Sequence, residues 1–113
     1  MQIPNADRTV IDPAKLRDYL LSSTHPVGRF KAPFFLGLGY TPADWSRLEA
    51  DVRSQHLPQD AVAASPTPYG QKYVIRATLV GPAGRPARVV TVWVVRVGED
   101  FARFVTAYPE VGA

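Results

Sequence analysis

The chain has no cysteine, only two histidines and one methionine among its 113 residues. Without cysteine it can form no disulfide framework and no thiolate metal site, and it has no thiol nucleophile. His25 and His56 are far apart in the sequence and form no helical pair, so their spacing offers no zinc site. We therefore expect neither a metal nor another cofactor. The lack of cysteine also fits a cytoplasmic protein.

Long hydrophobic runs are missing as well. The longest apolar segment covers residues 89–95, is interrupted by Thr91, and has the length of a strand rather than of a membrane span. Residues 1–8 lack the apolar core of a signal peptide. The sequence therefore predicts a soluble, cytoplasmic protein that does not associate with membranes.

Acidic residues are absent from two long stretches, although the net charge is only +3. No Asp or Glu occurs between Asp18 and Asp44, and none occurs between Ala61 and Gly98. The second stretch contains five of the basic residues: Lys72, Arg76, Arg85, Arg88 and Arg96. Such a charge distribution suits a nucleic acid or an acidic protein as the binding partner.

The length of 113 residues is that of one domain, which we expect to span residues 1–113. Its apolar fraction of 46% and charged fraction of 20% are those of an ordinary globular protein. The pattern changes along the chain from a helical part at about 12–56, through a connector at 57–68, to a β part at 69–109.

The first helix is predicted from a start signal and a periodic apolar face. Asp12 can accept hydrogen bonds from the first free N–H groups, and Pro13 loses no bond at the first helical position. Leu16, Tyr19 and Leu20 then recur at helical spacing. We expect a helix over residues 13–22.

A second helix is expected from about residue 29 to residue 38, with Pro33 in a first turn or at a kink and Gly39 in a left-handed conformation after its end. Three aromatic side chains at helical spacing, Phe30, Phe34 and Phe35, are assigned to the core.

A third helix should begin at Thr41-Pro42, with Thr41 as its cap, and run to about residue 55. Trp45, Leu48 and Val52 form its apolar face. His56 follows at the C-terminal end, where we expect it to be a charge partner of the helix dipole.

The β part reads as three consecutive strands with short turns. Alternation over residues 72–79, a valine-rich run over 87–97 and a third run over 101–108 indicate an antiparallel meander, to which a further short strand can be added. The predicted fold class is α+β, in two layers, with the N-terminal helices packed on the C-terminal antiparallel sheet.

Residues 25–31 form the first candidate site. They contain the His25 imidazole, the Arg29 guanidinium and the Lys31 ammonium, with no acid nearby. A group that titrates near neutrality beside two fixed cations is suited to handling a phosphodiester. The alternative interpretation is a turn with solvated basic side chains.

The strands offer further candidates, because side chains two residues apart on a strand share a face. If the faces of neighbouring strands coincide, the sheet presents one surface made of Lys72, Thr91, Trp93, Thr106 and Tyr108. Hydroxyls and cations can hold a phosphate, and an aromatic ring can stack on a base. The alternative is that Trp93 and Tyr108 belong to the core and that the threonines serve strand formation.

Six segments together resemble a bacterial family of domains of unknown function: residues 3–6 (IPNA), 25–32 (HPVGRFKA), 69–73 (YGQKY), 81–85 (GPAGR), 91–93 (TVW) and 103–109 (RFVTAYP). The family occurs as small stand-alone proteins and as C-terminal domains of proteins resembling polymorphic toxins. Pro33 departs from the family pattern, in which helix-compatible residues follow the lysine. The order of helices and sheet is also similar to the metal-independent barnase–EndoU–colicin–RelE ribonucleases.

These resemblances imply a ribonuclease that uses the ribose 2′-hydroxyl as nucleophile, without a metal. The residues expected to catalyse are His25 as acid or base, with Lys31, Lys72, Thr106 and Tyr108. Those expected to bind phosphate or RNA are Arg29, Arg76, Thr91, Trp93 and Arg103. An acidic inhibitory protein, or a partner encoded in the same operon, is expected as well.

Two alternatives remain open at this point. The domain could be a non-catalytic protein-interaction module, or it could bind nucleic acid without cleaving it as one member of a two-gene operon. Binding without cleavage predicts an affinity that falls steeply with salt.

Overall fold

The computed structural model describes residues 1–111 and has N-terminal helices followed by an antiparallel sheet with strand order β1-β2-β3-β4. The strands are β1 (Ala61–Ala63), β2 (Gly70–Val80), β3 (Pro86–Arg96) and β4 (Ala102–Pro109). The α-helices are α1 (Pro13–Lys15), α2 (Ala32–Gly37) and α3 (Trp45–Asp51), and short 3₁₀ turns cover Ala6–Arg8, Gly28–Phe30 and Pro42–Asp44. The predicted α+β class and antiparallel meander are confirmed, and β1 adds a short strand within the expected connector.

Both predicted helix starts are present. The Asp12 carboxylate accepts a hydrogen bond from the Ala14 N–H at 3.0 Å, and Pro13 opens α1. The Thr41 hydroxyl accepts from the Asp44 N–H at 3.3 Å. These bonds satisfy N–H groups that have no partner inside a helix.

Two of the helices widen into π-helical turns where they end. Helix α1 continues into the π turn Leu16–Leu20, and α3 continues into the π turn Val52–His56. The Leu21 N–H donates to the Leu16 carbonyl at 2.9 Å, five residues back rather than four. Such turns are rare and occur frequently at functional sites. Tyr19 lies in the first of them and His56 in the second.

The predicted second helix is divided in two. A 3₁₀ turn, Gly28–Phe30, precedes α2, Pro33 lies in the first turn of α2, and Gly39 follows with φ +102°. The prediction that Phe30 belongs to the core was wrong, because the separate 3₁₀ turn removes it from the face of α2. Its side chain is 75% exposed, and the Arg29 guanidinium lies over its ring at 4.8 Å.

The core lies between the helices and one face of the sheet, which we call the inner face. Its largest buried side chains come from both layers: Leu16, Leu20, Phe35, Tyr40 and Leu48 from the helical part, and Ile75, Leu79, Val89 and Trp93 from the strands. Burial of such side chains is the main stabilising contribution to a fold of this size. None of the helices within residues 1–111 combines the length and the apolar character that a bilayer crossing requires.

His56 is part of this core, so the prediction of a surface charge partner was wrong. Its Nε2–H is shared between the carbonyls of Val89 at 3.0 Å and Ala77 at 3.3 Å. Its Nδ1 accepts the Thr91 hydroxyl proton at 2.8 Å, and Thr91 Oγ1 accepts from Trp93 Nε1–H at 2.9 Å. Because carbonyls only accept, the neutral ring with its proton on Nε2 satisfies every partner.

This arrangement makes the stability of the fold depend on pH. Burial lowers the pKa of His56, and its hydrogen bonds to the Val89 and Ala77 carbonyls oppose that shift only in part. In the unfolded chain the pKa is about 6.5, so protons bind the unfolded state first as the pH falls. Stability should be complete above pH ~6.5 and decline below it by up to about 1.4 kcal/mol per pH unit.

Urea denaturation followed by circular dichroism between pH 7.5 and pH 4.5 measures this decline. The matched control is His56→Leu, which is less stable at every pH but should lack the drop that begins near pH ~6.5. Equal slopes in the two proteins over that interval would show that His56 does not cause it.

Candidate functional site

The face of the sheet opposite the helices, which we call the outer face, carries most of the polar side chains predicted for the site. Val90, Val92 and Val94 of β3 lie on it, since Thr91 and Trp93 between them are buried on the inner face. The strand register places three cross-strand rows there: Lys72–Val94–Arg103, Val74–Val92–Thr106 and Arg76–Val90–Tyr108. Residues in one row are direct neighbours on the face.

The prediction that Thr91 and Trp93 share this surface was therefore wrong. Both side chains are buried, Trp93 against Phe104 with ring centroids 5.2 Å apart and Thr91 against His56. The physical reason is that the Thr91 hydroxyl has its partners inside the core, so its polarity does not place it in water. Trp93 is a core residue, as the alternative interpretation of the sequence predicted.

Tyr19 is the centre of a group of side chains at the edge of β4, which we call the Tyr19 cluster. Its hydroxyl lies 3.1 Å from Thr106 Oγ1, and its ring meets the His25 ring edge to face at 5.0 Å. Lys15 Nζ and Lys31 Nζ are each 5.7 Å from the centre of the Tyr19 ring. Two ammonium groups, an imidazole and the Thr106 hydroxyl thus surround the Tyr19 side chain.

The backbone of the turn that carries His25 fixes the orientation of its ring. His25 Nδ1 accepts hydrogen bonds from the Val27 and Gly28 N–H groups, both at 3.0 Å. The neutral ring therefore carries its proton on Nε2, where it can be donated in a hydrogen bond. With both backbone bonds in place, Nε2–H is the group that the ring presents to a ligand.

Gly28 allows this turn to approach Tyr19. A Cβ at this position would lie 1.9 Å from the Tyr19 carbonyl oxygen and 2.6 Å from its carbonyl carbon. Real Cβ atoms do not approach backbone so closely, so only glycine permits the contact between the His25 turn and the first π turn.

The Tyr19 cluster opens into a hollow of about 560 Å³, which adjoins a second hollow of about 690 Å³. Both are in the size range of small-ligand sites, ~300–1,000 Å³. Lys15 and Val105 line both, and we call the two together the cleft. The polar side chains that line the second hollow include Tyr69, Lys72, Arg96 and Arg103.

The carboxylates around the cleft already have partners. Asp12 caps α1, Asp18 pairs with Arg17 at 2.8 Å, and Glu99 pairs with Arg103 at 2.8 Å. The hydrogen bond from Arg17 lowers the pKa of Asp18, and the bond from Arg103 lowers that of Glu99, so both stay ionised at neutral pH. Within residues 1–111, seven Lys or Arg side chains have no carboxylate within ion-pair distance, and three of these, Lys15, Lys72 and Arg96, line the cleft. The cleft is thus open to an anion.

The predicted site residues are divided between this cleft and other places. His25, Lys31 and Thr106 meet at the Tyr19 cluster, and Lys72 and Arg103 line the second hollow. Arg76 and Tyr108 share a row further along the outer face, and Arg29 is exposed beside Phe30.

Four residues of the cleft were missed from the sequence: Lys15, Tyr19, Tyr69 and Arg96. Lys15 and Tyr19 are four residues apart on the predicted helix, which places them on one face and was a usable signal. Tyr19 was counted only as part of the apolar stripe. Tyr69 and Arg96 were not selected from the sequence, because only the pairing of β2 with β3 brings them to the same hollow.

The side chains that commonly bind metal ions form no cluster within residues 1–111. Within residues 1–111, no three His, Asp or Glu side chains come together as a metal site would require.

A family model described as "Domain of unknown function (DUF6883)" matches residues 2–111. The chain belongs to the DUF6883 family. No curated protein matches this DUF6883 domain in sequence. A solved chain titled "Contact-dependent growth inhibition toxin - immunity protein complex from Klebsiella pneumoniae 342" matches it with a TM-score of 0.57 and 19% identity, over 89% of this domain and 99% of that chain. At this identity the likeness establishes a shared fold.

Proposed function

We propose that this DUF6883 domain is a toxin-like endoribonuclease that cleaves RNA by attack of the ribose 2′-hydroxyl, without a metal. The observation that carries the proposal is the Tyr19 cluster, in which Lys15, His25, Lys31 and Thr106 surround Tyr19 at one end of the cleft. The rest of the cleft extends past Lys72 and Arg96, in the manner of a groove that follows a phosphate backbone.

Phosphate binding follows from the charges. Lys15 Nζ and Lys31 Nζ lie near the Tyr19 ring, and neither ammonium group has a carboxylate partner in residues 1–111, so each can attract a phosphate to this end of the cleft. The His25 Nε2–H supplies a further donor. Fixed cations and donors aimed at the phosphorus centre stabilise the charge that develops in the transition state.

Proton transfer is assigned to the Tyr19 hydroxyl rather than to His25. Because His25 Nδ1 is engaged by two backbone N–H groups, its ring donates a hydrogen bond but has no free lone pair. The Tyr19 hydroxyl is held by Thr106 at the end of the cleft. As the 2′-oxygen bonds to phosphorus, the 2′-hydroxyl proton passes to water, and the Tyr19 hydroxyl donates its proton to the leaving 5′-oxygen as the P–O5′ bond breaks and then regains one from water. The reaction would leave a cyclic phosphate.

The similar solved chain comes from a complex that contains both a toxin and an immunity protein. Charge favours the toxin role for this domain, because a protein that blocks a nuclease must present negative charge, whereas this chain has a net charge of +3 and a cationic cleft. We therefore also propose an acidic inhibitory partner that covers the cleft.

The proposal is tested by incubating the purified domain with bacterial RNA in EDTA and analysing the products for 2′,3′-cyclic phosphate ends. Tyr19→Phe keeps the ring that packs on His25 and both lysines but removes the hydroxyl, and should slow cleavage about 10²-fold. Lys15→Ala and Lys31→Ala should each slow it by about tenfold to 10²-fold.

The control is Arg85→Ala, which removes an exposed cation that lines neither hollow and should cleave RNA at the wild-type rate. RNA that stays intact with the wild-type domain contradicts the proposal. Equal rates of RNA cleavage in Tyr19→Phe and Arg85→Ala would show that the reaction does not depend on the Tyr19 hydroxyl.

A further inference from the structure

Tyr69 is the most exposed aromatic residue at the cleft. Its side chain is 81% exposed, although it lines the second hollow together with Lys72 and Arg96. A single exposed ring is ordinary on a protein surface, but this one stands beside two cations at a hollow large enough to hold a ligand. The position of Tyr69 therefore calls for a ligand that covers its ring.

The backbone that carries Tyr69 is held by several hydrogen bonds. The Tyr69 N–H donates to Thr67 Oγ1 at 3.3 Å, and the Tyr69 carbonyl accepts from the Val97 N–H at 3.1 Å. Thr67 in turn donates its hydroxyl to the Gly70 carbonyl at 3.1 Å. The ring is thus attached to a preorganised turn, which reduces the entropy lost when a ligand binds.

Gly70 ties the same turn closely to β3. It has φ +149°, and a Cβ there would lie 2.1 Å from the Val95 carbonyl oxygen. Its partner in the strand register is Arg96, and Lys72 follows two residues later on β2. Both cations therefore lie beside Tyr69 at the same end of the sheet, and neither has a carboxylate partner in residues 1–111.

From this geometry we propose that Tyr69 is a stacking platform for an unpaired nucleobase, whose flanking phosphates are bound by Lys72 and Arg96. This inference rests on the proposed function and narrows its substrate to RNA with single-stranded nucleotides at the site. An aromatic face beside cations is the arrangement that proteins use for single strands. In the interior of a duplex both faces of each base are already stacked, so the Tyr69 ring would find no partner there.

Binding is measured by fluorescence anisotropy with a labelled 2′-O-methyl octaadenylate, which lacks the attacking hydroxyl and so cannot be cleaved. Tyr69→Ala should weaken this binding about tenfold, the effect of losing one stacked base, and Tyr69→Phe should bind like the wild type. A blunt 2′-O-methyl duplex of the same length should bind equally to the wild type and to Tyr69→Ala.

Phe30→Ala is the matched control, since Phe30 is a similarly exposed ring that lines neither hollow, and it should bind the single strand like the wild type. If Tyr69→Ala binds the octamer as the wild type does while Lys72→Ala is weakened, the stacking site is refuted and the ribonuclease proposal stands. A wild-type domain that binds no single strand refutes both. An equal loss for duplex and single strand in Tyr69→Ala also refutes stacking.

Discussion

Replacing His56 with alanine should lower the free energy of unfolding by about 4 kcal/mol, and the melting temperature by more than ~15 °C. The ring is buried in the core, and its loss leaves a cavity beside Trp93. The loss also leaves the Thr91 hydroxyl without its acceptor. Urea denaturation at pH 7.5 measures the change.

A double-mutant cycle separates the hydrogen bond from the cavity. Thr91→Val keeps the shape of the side chain but removes the hydroxyl that joins His56 to Trp93. If the three side chains act as one network, the double variant His56→Ala/Thr91→Val should lose at least ~1 kcal/mol less than the sum of the single variants. Strict additivity would mean that the hydrogen bond to Thr91 contributes nothing.

Replacing Gly28 with alanine should cost about 3 kcal/mol of stability and slow the proposed RNA cleavage by about 10²-fold. The new methyl group would overlap the Tyr19 carbonyl oxygen, which belongs to the backbone and cannot rotate away. The turn must therefore move away from the first π turn, and it carries His25 away from Tyr19. Thermal unfolding and the cleavage assay measure the two effects.

Gly37→Ala is the control for this variant. Gly37 ends α2, and a Cβ there would meet nothing within 4 Å, so alanine should leave cleavage unchanged and raise stability by a few tenths of a kcal/mol, up to about 1 kcal/mol. A Gly28→Ala domain as stable as the wild type would show that the turn can move without cost.

The fold could be predicted because its signals are local. Asp12-Pro13 and Thr41-Pro42 mark helix starts, and the caps they predict are present. Short turns between strands leave an antiparallel meander as the only simple topology, and the register follows it. For the second helix, Pro33 indicates a start near residue 32 rather than 29, but nothing in residues 28–31 indicates the 3₁₀ turn that precedes α2.

The site was less predictable because it depends on which face of each strand is buried. Strand β3 has valine at positions 90, 92 and 94 on the outer face, so its apolar residues do not reveal the inner one. A bulge between Val92 and Trp93 also shifts the pairing with β4. Thr91 looks like a surface residue until His56, 35 positions earlier, is placed beside it.

The Tyr19 cluster joins residues from α1, the His25 turn and β4, which no spacing along the chain can relate. The sequence allowed only separate members of the cluster to be predicted: a histidine and a lysine without nearby acids, and a threonine on a strand. Their common neighbour, Tyr19, was hidden because an aromatic residue in a helical stripe has the same pattern whether it faces the core or a cleft.

The two π turns also constrain how the length of this chain can vary. A π turn holds one residue more than the α-helical turn that it replaces, so removing a residue from Leu16–Leu20 or Val52–His56 would restore an α-helix. Because the α-helical turn closes the same angle with one residue fewer, the chain beyond the deletion would keep its direction, whereas the side chains inside the turn would change their positions around the helix axis. Tyr19 or His56 would then lose its present contacts, even if no other residue were changed. Among related sequences, gaps should therefore be tolerated in the connector at 57–68 and excluded from these two turns.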